Sequence, residues 1–260
     1  MRNIYNHWDD NINQEKKYSK RKNWKNLFIS EKFALSYLDS KVKSILDVGC
    51  GTGELYEVFK DMLSNEISYT GIDISKKTIN IAINRYPKIN FIKGNFLNLK
   101  NNNKYDLVFS TGVIQHEALP YELIKKCISK SKNLIIFDLK IITKTKSIVD
   151  INFSYSDYKS KTFYNLINIT ELVEKILNFK GIREIIIFGY RSKPNKYVVV
   201  PNTIDIDNIY AANFIIKKGK TKTVKLTSII EKKVNDTLKK KMSIFKNHVE
   251  CNFINFQLNI

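Results

Sequence analysis

Three glycines alternate with other residues in the segment LDVGCGTGEL, which spans residues 46–55. Gly49, Gly51 and Gly53 remove side chains between an apolar run and a helical pattern, so that a ligand can approach the backbone and the first helix amides. Glu54 stands where the dinucleotide fingerprint GxGxxG has its third glycine, and the phosphate loop GxxxxGKS/T is absent. The segment predicts a binding loop for a ligand that needs no pyrophosphate cradle.

A carboxylate is placed to complete this binding site. Asp73 ends the second predicted strand, twenty residues after Gly53, where it can accept hydrogen bonds from both hydroxyls of a ribose. Together the two features predict a ligand that contains a ribose but is neither a nicotinamide nor a flavin dinucleotide.

Hydrophobic periodicity places these residues in alternating strands and helices. Alternation of this kind predicts an α/β fold, with a doubly wound, mainly parallel sheet of seven strands that binds ligands at the carboxyl ends of its strands. The predicted strands are 44–48, 69–74, 90–93, 105–110, 134–139, 184–188 and 214–216.

Two regions interrupt the alternation, and both are predicted to be ordered and packed. Residues 140–169 are rich in Tyr, Ser and Lys and follow the fifth strand, where an insertion can cover the site. The tail after Gly219 carries a helical stripe that runs from Leu226 and Ile230 to Phe245, and it then alternates like a strand.

The length of 260 residues and the hydrophobic content of 43% allow one sizeable core with appendages. We predict one domain over residues 1–219, with an N-terminal helical lid at 1–40 and a substrate cap at 140–169. Residues 220–260 are expected to form a helix and a strand packed on that domain. A cytoplasmic protein is expected, because the sequence has neither a signal-peptide pattern nor an apolar run of about 20 residues.

The net charge of +19 raises the question of a nucleic-acid partner. Lysines greatly outnumber arginines and are scattered along the chain, which favours a solvated basic surface and also suits an anionic small substrate. Cys50, Cys127 and Cys251 are far apart, so neither a disulfide framework nor a zinc site is predicted. No acidic cluster in the sequence predicts a metal site of another kind.

Three motifs resemble those of the class I S-adenosylmethionine-dependent methyltransferases. LDVGCGTGEL resembles the glycine-rich first motif of this family, GIDIS the second, and YDLVFSTGVIQHE the fourth-strand motif, in the family's order and spacing. The resemblance covers residues 27–217. It implies the Rossmann-like methyltransferase fold and the cofactor S-adenosyl-L-methionine, with S-adenosylhomocysteine as the product.

The resemblance assigns roles to the glycine loop and its neighbouring acids. Asp47 would orient the loop and the methionine amine of the cofactor. Gly49, Gly51 and Gly53 would line the methionine and the ribose, and Asp73 would hold the ribose hydroxyls.

The adenine end of the predicted site departs from the family pattern. Asn95 stands where the family usually has an acid that accepts a hydrogen bond from the adenine amine. Its amide oxygen can still accept, and Phe96 can supply a backbone N–H. Ile74 is predicted to pack on the adenine face, with an ordinary core position as the alternative. Three further residues complete the predicted cofactor-binding set: Cys50, Ser110 and Thr111.

Methyl transfer from a sulfonium requires the protein to align the acceptor and, for a hydroxyl, to remove its proton. His116 follows the fourth strand, and its ordinary pKa near about 6.5 suits a general base, although it can instead shape the pocket. Glu117 could orient His116. Asp138 ends the fifth strand and is a second candidate base or substrate ligand, with a structural cap as the alternative.

The N-terminal segment is a candidate lid over the cofactor. Tyr5 and Trp8 would close over the methionine end, and Arg21 would pair with the methionine carboxylate. A docked amphipathic helix is the alternative, and His7 is a weaker second base. Three residues after the fifth strand are candidates for contact with the acceptor: Tyr155, Tyr158 and Lys161.

The acceptor is predicted mainly by exclusion. The D/N/S-P-P-Y/F signature of nucleobase and glutamine N-methylation is absent, no Cys follows a Pro, and no RNA-binding module is recognisable. The form STGVIQH is similar to small-molecule methyltransferases, including those that act on sugars in bacterial polysaccharide and natural-product pathways. We therefore predict O-methylation of a small polar metabolite, in the first place a nucleotide-linked sugar. The alternatives are an RNA methyltransferase, an N-methyltransferase of a small amine, and a catalytically idle subunit that binds the cofactor.

Overall fold

A computed structural model describes residue 8 and residues 19–63, 66–157, 160–220 and 224–231. Five α-helices occur in these residues: α1 (Ile29–Leu35), α2 (Leu55–Leu63), α3 (Lys76–Arg85), α4 (Pro120–Lys130) and α5 (Ile169–Leu177). The strands before α5 are β1 (Ser44–Val48), β2 (Ser68–Asp73), β3 (Asn90–Lys93), β4 (Tyr105–Ser110), β5 (Ser131–Ile142), β6 (Tyr155–Asp157), β7 (Lys161–Phe163) and β8 (Leu166–Asn168). Four strands follow it: β9 (Ile182–Arg191), β10 (Val198–Val199), β11 (Tyr210–Lys218) and β12 (Lys225–Glu231).

A doubly wound sheet forms the centre of the molecule, as predicted. Its order is β12-β9-β11-β5-β4-β1-β2-β3, and β8 pairs with β5 away from this path. Strands β1 to β5 pair in parallel, whereas β11 runs antiparallel to both β5 and β9. The seven predicted strands are present, but the described sheet has nine strands because β8 and β12 extend it.

Each face of the sheet is covered by helices that bury their apolar stripes. On one face α4 and α5 pack beside the stacked rings of Phe137 and Phe214, whose centroids are 5.2 Å apart. On the other face α1 and α2 pack on the sheet, and Phe33 of α1 stacks on Phe188 of β9 at 4.4 Å. Side chains alternate between the two faces along a strand, so Asp138, which follows Phe137, belongs to the face that α1 covers.

The region predicted as an insertion after the fifth strand contains a small second sheet. β6 and β7 form an antiparallel hairpin, and β10 pairs with β6. β10 comes from the segment between β9 and β11, which the sequence pattern did not identify as an insertion. Two separate segments therefore build one small sheet, which we call the cap sheet.

The helix predicted after Gly219 is wrong where the chain is described. Leu226 and Ile230 lie in β12, which pairs in parallel with β9. A spacing of four residues places two side chains on one face of a helix and also on one face of a strand, so the pattern did not distinguish the two. The remainder of the predicted stripe and the predicted final strand lie outside the described residues.

No helix in the described part of the chain is long and apolar enough to cross a membrane.

Candidate functional site

A cleft opens at the carboxyl ends of β1, β2 and β4. It is lined by the glycine loop after β1, the start of α3, the turn after β3 and the loop after β4. Most of the predicted site residues line it: Trp8, Arg21, Gly49, Cys50, Gly51, Asp73, Ile74, Asn95, Phe96, Thr111, His116 and Glu117. Four others do not line it: Asp47, Gly53, Ser110 and Asp138.

The three glycines of the loop serve different purposes. All have positive φ, at 76°, 56° and 80° for Gly49, Gly51 and Gly53. A Cβ on Gly49 would lie 2.1 Å from Cγ2 of Val113, and one on Gly53 would lie 2.8 Å from the Phe91 ring, whereas one on Gly51 would meet nothing within 4 Å. Gly51 therefore presents bare backbone to the cleft. Gly53 packs on Phe91, and its predicted contact with the ligand stays a prediction.

Asp73 is oriented by backbone amides on both sides. Its Oδ2 accepts the N–H of Gly51 and its Oδ1 accepts the N–H of Ser75, each at 2.9 Å. A carboxylate oxygen can accept more than one hydrogen bond, so these two bonds do not exhaust either oxygen. This geometry suits the predicted contact with two ribose hydroxyls.

Asp47 supports the loop from below. Its carboxylate is buried and accepts a 2.5 Å hydrogen bond from the Tyr69 hydroxyl. Burial raises the pKa of Asp47 to about 7, although the Tyr69 hydrogen bond and the charge of Arg21 oppose this shift. The predicted role in orienting the loop remains a prediction, and Asp47 does not itself line the cleft.

The amide of Asn95 is used in a way that the sequence did not predict. Its Oδ1 accepts the N–H of Leu97 at 2.8 Å and caps the 3-10 turn Phe96–Asn98. Asparagine commonly makes this local hydrogen bond at the start of a turn. The oxygen predicted to receive the adenine amine therefore already has one donor.

A clamp behind the loop was missed by the sequence reasoning. Glu54, which was considered only as a replacement for a glycine, is buried and forms an ion pair with Arg85 at the end of α3. Arg85 also donates to the carbonyl oxygen of Thr52 at 3.3 Å. The clamp fixes the loop against α3, and only the position of Glu54 beside the glycines could have indicated it.

His116 is held by the insertion after β5. Its Nδ1 lies 2.7 Å from the carbonyl oxygen of Phe163, and its Nε2 lies 3.0 Å from Nε2 of Gln115. A carbonyl only accepts, so Nδ1 carries the proton, and in the neutral imidazole Nε2 accepts from the Gln115 amide. Trp8 packs edge-on against the ring, with centroids 5.3 Å apart.

Asn165 fastens the same insertion to the loop after β4. Its Nδ2 donates to the carbonyl oxygens of Ile114 and Glu117, at 3.0 and 2.7 Å, and its N–H donates to the carbonyl of Gln115 at 2.8 Å. The insertion therefore contacts one side of the cleft. Tyr155 and Lys161 lie instead on the cap sheet, where the Lys161 ammonium is 4.0 Å from the centre of the Tyr155 ring, and neither lines the cleft.

Asp138 lies behind the loop after β4. Its Oδ1 accepts the N–H of Gly112 at 2.6 Å, and Gly112 lines the cleft. Burial raises the pKa of Asp138 to about 6, and the Gly112 hydrogen bond opposes this shift. Lys140, two residues further along β5, donates to the Ser192 hydroxyl at 2.7 Å.

Arg21 connects the N-terminal segment to the cleft. Its guanidinium forms an ion pair with the buried Glu31 of α1 and donates to the Thr111 hydroxyl at 3.2 Å. Pairing with a cofactor carboxylate remains a prediction, since part of the guanidinium has these partners.

Ser110 is fully buried, and its hydroxyl has no hydrogen-bond partner among the described residues. Three predicted residues, Tyr5, His7 and Tyr158, lie outside the described residues.

In the described part of the chain, no group of three or more His, Cys, Asp or Glu side chains could hold a metal ion.

A family model described as a methyltransferase domain matches residues 39–181. The chain is 24% identical over 192 residues to the ubiquinone biosynthesis O-methyltransferase of Rickettsia bellii, and the match covers 69% of this chain and 79% of that protein.

Solved structures share the fold. An O-methyltransferase of a trans-AT polyketide synthase from Brevibacillus brevis, in complex with S-adenosyl-L-homocysteine, superposes with a TM-score of 0.58 at 16% identity, covering 80% of this chain and 77% of that one. The N-terminal domain of EvdMO1, solved in the presence of S-adenosylhomocysteine and D-fucose, superposes with a TM-score of 0.52 at 12% identity, covering 73% and 81%.

Proposed function

Because the chain belongs to the class I S-adenosylmethionine-dependent methyltransferases, we propose that it methylates a hydroxyl of a small polar metabolite, in the first place a nucleotide-linked sugar. One observation carries the choice of acceptor. The end of the cleft near His116 is polar and is bordered by the insertion on one side and the N-terminal segment on the other. A bordered polar pocket suits a small acceptor better than a nucleic acid, which needs an open basic face.

The residues present fit the cofactor. Gly51 offers bare backbone at the cleft surface, and Asp73 presents two oriented oxygens beside it. Asn95, Phe96 and Ile74 line the same end of the cleft, where an adenine ring would lie. S-adenosylmethionine would supply, when bound, a methyl carbon that an acceptor oxygen can attack, with S-adenosylhomocysteine as the leaving thioether.

The chain itself must align the acceptor and take its proton. His116 is oriented by Phe163, and its Nε2 receives the acceptor proton once the Gln115 amide turns away. Arg21 and Thr111 hold the N-terminal segment against the methionine end and limit the access of water. The net charge of +19 favours an anionic acceptor such as a nucleotide-linked sugar.

A second candidate acceptor is a phenolic hydroxyl on a molecule with an apolar part. Two large exposed apolar side chains favour it: Phe28 beside Arg21, and Leu119, whose N–H donates to the Glu117 carboxylate. The Rickettsia bellii relative is named for ubiquinone biosynthesis, which agrees with this class of acceptor.

The test is a titration with S-adenosylhomocysteine followed by methyl-transfer assays with labelled cofactor. The acceptors would be a panel of nucleotide-linked sugars, a set of phenols with and without an alkyl tail, and a short RNA. Labelled sugar nucleotide would support the first candidate, and labelled alkyl phenol would support the second. Transfer to RNA alone, weakening with salt, would contradict both, and failure to bind S-adenosylhomocysteine would contradict the proposed use of the cleft.

A further inference from the structure

Asn213 has a fully buried amide without hydrogen-bond partners. It lies in the middle of β11, and neither its Nδ2 nor its Oδ1 meets a donor or acceptor in the described residues. Burying an amide in this way costs stability, because the hydrogen bonds to water are lost and not replaced. A cost of this kind is expected where a ligand or an internal water supplies the partners.

The strand register places Asn213 beside the candidate catalytic carboxylate. Asn213 is directly opposite Asp138 of β5 on one side and Phe188 of β9 on the other. Directly opposed residues project from the same face of a sheet, with Cβ atoms about 4.5–5.5 Å apart. Asp138 uses Oδ1 to accept the Gly112 N–H, and its Oδ2 accepts no hydrogen bond within the described part of the chain. The pair therefore combines a carboxylate oxygen with an amide donor and an amide acceptor.

The N-terminal segment covers this pair. Helix α1 packs on β9 and β11, with Phe33 stacked on Phe188. The start of α1 is fastened by Glu31, whose ion pair with Arg21 leads to Thr111 at the cleft. The pair thus lies on the sheet face that α1 covers, and the polar contacts that connect the start of α1 to the cleft run through Arg21.

We propose that Asp138 and Asn213 form the acceptor subsite and bind two neighbouring hydroxyls of the acceptor, as the start of α1 shifts to admit it. Oδ2 of Asp138 accepts from one hydroxyl, while Nδ2 and Oδ1 of Asn213 pair with the other. A vicinal diol is the ligand class that this arrangement fits, since each hydroxyl both donates and accepts. Lys140 keeps a positive charge near Asp138, which favours its ionised form. This inference rests on the proposed function and names its acceptor class.

The test compares Asn213→Leu with Ile215→Leu. Ile215 projects from the same face two residues further along β11, so its variant controls for repacking. The probes are 3,4-dihydroxybenzoate against 3-hydroxybenzoate, and UDP-glucose against UDP-2-deoxyglucose, each titrated into protein saturated with S-adenosylhomocysteine.

We expect wild-type protein to bind at least one diol at least tenfold more tightly than its single-hydroxyl partner. Asn213→Leu should lose that preference while retaining its affinity for S-adenosylhomocysteine, and its Tm should rise by roughly 2–4 °C because an unsatisfied amide is removed. Ile215→Leu should keep the preference. Asp138→Asn provides a second variant, which keeps an acceptor for Gly112 and should also lose the preference.

Three results would overturn the diol subsite. They are the absence of diol preference in the wild type, an unchanged preference in Asn213→Leu, and a lower Tm in that variant, which would indicate a structural water bound to the amide. Failure to bind S-adenosylhomocysteine would instead contradict the proposed function, so the two failures are distinguishable.

Discussion

At the proposed cofactor end of the cleft, Gly51 and Asp73 are 22 residues apart in the sequence, whereas at the proposed acceptor end His116 contacts Phe163, which is 47 residues away. Gly51 and Asp73 are joined directly by a backbone N–H to carboxylate bond. At the other end, His116 depends on Phe163, and Asp138 depends on Gly112 and faces Asn213. The cofactor end can therefore be recognised from motifs, and the acceptor end becomes visible only when the sheet is assembled.

The largest expected effect tests the acceptor end. His116→Ala should lower kcat by about 100-fold or more, the usual contribution of a positioned general base. Its affinity for S-adenosylhomocysteine should be retained, because the ribose and adenine contacts lie at the other end. Gln115→Ala is the matched control and should remain active, since it removes the amide that lies 3.0 Å from Nε2 and keeps the imidazole. Full activity of His116→Ala in steady-state assays would remove this histidine from the mechanism.

The next effect tests the cofactor end, and the chain offers a matched pair of glycines. Gly51 and Gly181 both have positive φ, at 56° and 79°, and a Cβ on either would meet nothing within 4 Å. Alanine at either site should cost roughly 1–2 kcal/mol of stability from backbone strain. Only Gly51→Ala should weaken S-adenosylhomocysteine binding, by at least about tenfold, or about 1.4 kcal/mol. Equal affinities of the two variants in calorimetry would show that Gly51 does not face the ligand.

A smaller loss of affinity is expected for Asp73→Asn. Replacing a charged acceptor by a neutral one should weaken S-adenosylhomocysteine binding by roughly tenfold, since hydrogen bonds to charged groups contribute about 1.5–3 kcal/mol and the amide keeps part of this. Asp106→Asn is the control, because Asp106 also accepts two backbone N–H groups, from Lys43 and Ser44, but lies away from the cleft. Both variants should change the Tm in thermal unfolding. Only Asp73→Asn should weaken S-adenosylhomocysteine binding in calorimetry.

The smallest effect is a dependence of stability on pH. Burial raises the pKa of Asp47 to about 7 and that of Asp138 to about 6, above the ordinary value of 3.8. The folded state then binds more protons than the unfolded chain between pH 4 and 7, so these groups make stability fall as pH rises through that interval. Carboxyl groups with a lowered pKa, such as Asp106, make stability rise with pH, but only near and below their ordinary pKa.

The measurement is the difference in Tm between pH 5 and pH 7.5. Asp47→Asn should reduce this difference by a few degrees, because the amide does not titrate and still accepts from Tyr69. A profile that keeps its slope in the variant would show that Asp47 is ionised in the folded protein across this range.

The accuracy of the sequence-based predictions follows the same division. The order of strands and helices was predicted because each element carries the periodicity of its own residues, and the glycine loop and Asp73 were singled out because they belong to motifs of fixed spacing. The predicted ligand contacts of Gly53 and Asn95 stay predictions, and the motifs did not indicate that Gly53 packs on Phe91 or that Asn95 accepts the N–H of Leu97. A motif identifies a loop more reliably than it identifies each residue's partner.

The errors in the fold have a related cause. Leu226 and Ile230 were assigned to a helix, but the open edge of β9 pairs with them as a strand. The cap sheet joins β10 to β6 across more than forty residues of chain, and nothing in either segment alone indicates the other. In the sequence, Asn213 is a polar residue between apolar neighbours, and its position opposite Asp138 follows only from the strand register.

The hydrogen bond between His116 and Phe163 links the proposed base to the assembly of the cap. Detaching the insertion would remove the carbonyl that holds the proton on Nδ1 and would let the proton exchange between the two nitrogens. A molecule with a detached cap would then have the proposed base in both tautomers, while the methyl donor could still bind. Because this contact borders the cleft and also fixes the tautomer of the proposed base, methyl transfer is expected to depend on the attachment of the insertion.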